Sequence, residues 1–125
     1  MKKILILLMV SFSLLLPVAA RAAAPVEVDV LYMNHGPLQP TLDQLKGLFA
    51  GYGEKIAPRW HDFESQDGEK FMAAKGIRRH VPLMIWINGK EAVSGFPSGS
   101  GPQMFQGKWS MASLAQALDQ ATQPH

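Results

Sequence analysis

The sequence predicts an α/β domain in the order strand, helix, strand, helix, strand, strand, helix. The strands form a mixed four-stranded sheet with helices on both faces. Three observations carry that reading. An apolar strand pattern at residues 26–33 runs into a helix whose apolar residues share one face. A second strand and helix follow at once, as a right-handed parallel crossover requires. Leu83 to Ile87, the most apolar stretch beyond residue 22, is then followed by Asn88-Gly89, a two-residue hairpin turn.

The chain opens outside this pattern. Lys2 and Lys3 precede an apolar run from Ile4 to Leu16, and Pro17 ends it. A small-residue stretch with an Ala20-Arg21-Ala22 cleavage box follows, which is the pattern of a secretory signal. The run is short for a membrane span, which needs about 20 residues. Residues 1–22 are expected to be a signal peptide and residues 23–125 a single domain. Cleavage would remove Lys2, Lys3 and Arg21, leaving 9 basic against 10 acidic residues and a net charge of −1. The basic pI of the whole chain then gives no electrostatic argument for nucleic acid or anionic lipid. The expected location is the periplasm or the exterior, with no membrane attachment after cleavage and a monomeric state. Cysteine is absent, so no thiolate exists for disulfide exchange.

Each element has its own signal. Val26 to Met33 begins by alternating and then becomes wholly apolar, as a strand entering a sheet interior does. Thr41 to Tyr52 places Leu42, Leu45, Phe49 and Tyr52 on one helical face. Thr41 with Gln44 fits a capping box, Gly53 suits the stop, and Pro37 or Pro40 suits the first turn. Ile56 to Phe63 is a second strand, which Pro58 places at an edge or starts late. Gln66 to Lys75 is a short helix carrying Phe71 and Met72 and ending at Gly76. Leu83 to Ile87 is a central strand, and Lys90 to Phe96 returns as its hairpin partner. Pro97 to Lys108 is rich in Gly, Ser and Pro and reads as a loop. Ser110 caps a last helix with Leu114, Ala117, Leu118 and Ala121 on its apolar face, and Thr122 to His125 is expected to fray.

Two local motifs resemble those of the thioredoxin family. Asn34-His35-Gly36-Pro37-Leu38 stands where thioredoxins carry Trp-Cys-Gly-Pro-Cys, keeping the Gly-Pro and replacing both cysteines. Gly76 to Pro82 resembles the family's Gly-Ile/Val-x-x-Ile/Val-Pro segment, one residue longer, and precedes a hydrophobic strand and an Asn-Gly turn. The resemblance implies a thioredoxin-like three-layer sandwich without redox activity. It also implies a cis peptide bond before Pro82, with His35 beside Val81-Pro82. The main-chain groups before that proline would then bind extended peptides by strand-like pairing.

The candidate groove therefore comprises His35, Gly36, Pro37, His80, Val81 and Pro82. Phe96, Met104 and Phe105 of the glycine-rich loop form a candidate lip or pin that loop to the core. His35 and His80 are weak metal candidates, since two histidines without a third ligand make a poor zinc site. Met33, Met84, Met104 and Met111 are not spaced as a copper-binding cluster. Arg78-Arg79-His80 reads as a solvated basic turn. Asp62, Glu64, Asp67 and Glu69 surround a helix start, where carboxylates complement the dipole. No cofactor and no catalytic residue is expected. The functional expectation is a non-redox module that binds a peptide or partner protein. Behind it stand metal handling through His35 and His80, and then an enzyme or glutathione-like ligand site.

Overall fold

The computed structural model describes residues 23–124, so the signal expected at 1–22 and His125 lie outside the described residues. Seven main elements follow in the expected order: β1 (Val26–Tyr32), α1 (Gln39–Tyr52), β2 (Ile56–Asp62), α2 (Gln66–Lys75), β3 (Leu83–Ile87), β4 (Lys90–Ser94) and α3 (Met111–Ala121). The sheet order is β2-β1-β3-β4. β1 and β2 pair in parallel, and β3 runs antiparallel to both β1 and β4. β2 is an edge strand, where Pro58 costs no ladder bond on its open side.

Alternation along β1 divides the apolar residues between two faces. Val26, Val28 and Val30 pack with Leu42, Leu45 and Phe49 of α1 and Leu114 and Leu118 of α3. Leu31 instead joins Met84 and Trp86, covered by Phe71 and Met72 of α2. The result is a sheet with two helices on one face and one on the other. Tyr52 ties α1 to α3, donating to Asp119 Oδ1 at 2.7 Å and to the Ala115 carbonyl at 3.0 Å. Burial, the bond to Asp119 and its negative charge push the Tyr52 pKa up to about 12.

Helix ends follow their local chemistry. Ser65 Oγ accepts from the Gly68 N–H, and Gly76 closes α2 in the left-handed conformation. Ser110 and Ser113 cap α3 reciprocally. The capping box expected at Thr41 and Gln44 does not form. α1 starts two residues earlier, after a 3₁₀ turn at Gly36–Leu38, and Thr41 is buried inside its first turn. The two prolines explain the shift: both fall in first-turn positions, so the helical path begins before Thr41.

Candidate functional site

A cavity of about 420 Å³ opens at the end of β1. Met33, His35, Pro37, Leu38, His80, Pro82, Phe96, Pro102 and Phe105 line it. Three separate segments meet there, and hydrogen bonds set each one. The Met33 N–H donates to the Pro82 carbonyl at 3.0 Å, joining the end of β1 to the entry of β3. The Leu38 N–H donates to the His35 carbonyl at 3.0 Å, turning the chain into α1. The Gln39 side chain donates to Asn34 Oδ1 at 2.9 Å across the same turn.

The glycine-rich loop is folded back rather than loose. The Phe96 N–H donates to the Phe105 carbonyl at 2.9 Å, and the Gly107 N–H donates to the Phe96 carbonyl at 2.8 Å. The buried Trp109 Nε1 donates to the Gly95 carbonyl at 2.8 Å. A 3₁₀ turn at Gln103–Phe105 forms the rim. Gly101 has a φ of 70°, and a Cβ there would overlap the Phe96 ring. Glycine lets the rim close on that ring.

The cavity unites most of the expected site, and the rest must be redrawn. His35, Pro37, His80, Pro82, Phe96 and Phe105 share it. Val81 does not: its side chain packs on the opposite layer with Leu31, Met84 and Trp86. Gly36 forms the turn without lining the space. Phe96 is buried, whereas Met104 is 82% exposed beside the cavity and Phe105 is 43% exposed. The expected cis bond before Pro82 is corrected, because no cis peptide bond occurs among the described residues. The extra residue between Gly76 and Pro82 lets a trans chain reach β3, and the Pro82 carbonyl is taken by Met33. Met33, Leu38 and Pro102 were not expected here. Met33 carried a signal as the last residue of an apolar strand and Leu38 as the last residue of the Asn34–Leu38 motif, whereas Pro102 carried none.

The lining is almost wholly apolar. His80 lies against Phe63, with ring centroids 5.2 Å apart. Among the described residues no group of three or more His, Cys, Asp or Glu is placed to hold a metal ion.

A second cluster lies on the α2 face of the sheet. Asp29 of β1 is only 3% exposed. Arg59 grips it with Nε and Nη2, each at 2.9 Å, from the paired position on β2. His61 bridges Asp29 and Asp67, with Nε2 at 2.9 Å and Nδ1 at 2.6 Å, and stacks on Phe71 at 4.0 Å. Burial alone would raise the Asp29 pKa, but the bonds from Arg59 and His61 outweigh it and hold the carboxyl below its ordinary range. The same pairing raises Arg59. Both His61 nitrogens face carboxylates, so neither is free to serve a nucleophile. This cluster joins β1, β2 and α2. It was missed in the sequence because Asp29 looked like the polar half of an alternating strand and His61 stood alone in the next.

No protein-family model matches the chain, and no curated protein matches it.

Proposed function

We propose that the chain is an exported, non-redox binding module with a thioredoxin-like fold, holding an apolar part of a peptide or partner protein in the Met33–Phe105 cavity. The observation that carries the reading is the convergence of three distant segments on one preformed apolar cavity. Its size falls within the roughly 300–1,000 Å³ typical of ligand pockets. The βαβαββα order, the antiparallel β3 and the position of Gly36-Pro37 between β1 and α1 support the fold assignment. Absence of cysteine leaves recognition, not thiol exchange, as the work of this surface. Binding rests on side chains. The Pro82 carbonyl is occupied by Met33, and Val81 turns its side chain away.

Phe105 offers the cleanest test, since it lines the cavity yet remains 43% exposed. Phe105→Ala should leave the fold intact. It should weaken binding of a Trp- and Leu-containing peptide by tenfold or more, as loss of about 1.5–3 kcal/mol of aromatic burial implies. Calorimetry of both proteins against that peptide and its Ala-substituted control measures this. Equal affinity of wild type and variant would place the ligand elsewhere.

A further inference from the structure

Resting on the cavity reading above, we infer that Met104 is an oxidation site, and that its sulfoxide loosens the partner's hold at the cavity rim. The chain has no cysteine, so beyond residue 22 its oxidisable sulfur lies in five thioethers: Met33, Met72, Met84, Met104 and Met111. Four are sheltered, wholly or in part. Met84 is buried at 4% exposure in the layer under α2, and Met72 packs against the same layer. Met111 packs against the larger core, and Met33 is partly buried in the cavity lining. Met104 is 82% exposed. Among the described residues, the large apolar side chains that stand out on the surface are Met104 and its neighbour Phe105. They are consecutive, and Phe105 lines the cavity.

The turn fixes where that sulfur stands. The Phe105 N–H donates to the Pro102 carbonyl at 2.9 Å, and the Gln106 N–H donates to the Gln103 carbonyl at 3.3 Å. Pro102 and Phe105 both line the cavity, while Met104 between them in the chain faces solvent. A segment that fills the cavity and leaves past Phe105 meets this thioether. A peroxide oxidises it by two-electron oxygen transfer. A sulfur lone pair attacks one peroxide oxygen, and the O–O bond breaks as the S–O bond forms. The departing hydroxide takes the proton from the new S–OH group and leaves as water. The thioether is oxidised, the peroxide is reduced, and no other reactant is needed. The product is polar where a flexible apolar chain stood, so covering it with an apolar partner now costs desolvation.

Timed exposure of the chain from residue 23 onward to hydrogen peroxide tests this. Each of the five methionines falls on a different tryptic peptide, so mass spectrometry ranks them directly. Met104, on the peptide Glu91–Lys108, should gain oxygen about fivefold faster than any of the others. By calorimetry, the protein oxidised at Met104 should bind the Trp- and Leu-containing peptide about fivefold more weakly than untreated protein. Met104→Leu should bind like untreated wild type before and after peroxide, with an unchanged circular dichroism spectrum. Oxidation of Met33, Met72 or Met111 as fast as Met104 overturns the site assignment. Selective oxidation of Met104 with unchanged affinity overturns its role at the rim and leaves the cavity reading standing. Loss of binding by peroxide-treated Met104→Leu moves the effect to another sulfur and also overturns it. Failure of untreated protein to bind the peptide overturns the cavity reading and the role at the rim together.

Discussion

At the scale of single residues, the buried carboxylate of Asp29 is the most consequential charge in the domain. It is held by three side-chain hydrogen bonds, two from Arg59 and one from His61. Asp29→Asn keeps the shape but removes the charge. It should cost about 2–3 kcal/mol, because bonds to a charged group weaken and Arg59 and His61 lose their shared anion. Urea unfolding at neutral pH measures the loss. The pH dependence has a definite sign. The folded pKa lies below the ordinary 3.8, so the stabilisation is complete above that value and drains away as pH falls through the folded pKa. The gap between wild type and variant should therefore shrink in strong acid and stay constant from about pH 5 upward. A gap that widens on acidification would contradict this assignment. The sequence hid Asp29 because strand alternation reports which residues alternate, not which polar one faces inward. Its partners come from other elements, so only the β1–β2 register reveals them.

At the scale of elements, α2 shows how little of a helix can be buried while it still docks. Gly68 is its one fully buried residue, and a Cβ there would overlap the Asp62 carbonyl oxygen. Ala is the better helix former by about 1 kcal/mol, yet overpacking costs typically 1–3 kcal/mol. The overlap is with rigid backbone, so the clash should win. Gly68→Ala is expected to destabilise the domain by about 1–2 kcal/mol, with hydrogen exchange accelerating first in α2. A stabilised variant would show that α2 can lift from the strand end at no cost. Element order and most boundaries were legible from period and punctuation: the five-residue β3, the Asn88-Gly89 turn, the Gly76 stop of α2 and the Ser110 start of α3. The start of α1 was not. Two prolines moved it upstream of Thr41, and a capping pattern in sequence cannot say whether its threonine is buried. The trans bond before Pro82 escaped for a related reason: one additional residue changes the path of a short segment without changing its motif.

At the scale of the whole molecule, the sheet separates two kinds of work. The α2 face carries the Asp29–Arg59–His61–Asp67 cluster, which ties β1, β2 and α2 together. The cavity sits at the strand end, between the β1–α1 turn, the entry to β3 and the returning glycine-rich loop. Most of its lining was legible as a list of residues, since His35, Pro37, His80, Pro82, Phe96 and Phe105 stood in recognisable motifs. Its character was not, because the inward turn of Phe96 and the participation of Pro102 depend on how the loop folds back. No helix among the described residues is long and apolar enough to cross a membrane. The proposed function makes this cavity the place where the molecule meets its partner. Amide chemical-shift mapping of the isotope-labelled chain, titrated with the Trp- and Leu-containing peptide, tests it most directly. The largest shifts are expected at Met33, His35, Leu38, His80, Phe96 and Phe105, with Asp29, His61 and α3 unmoved. Largest shifts along the outer edge of β4, or on α2, would contradict it.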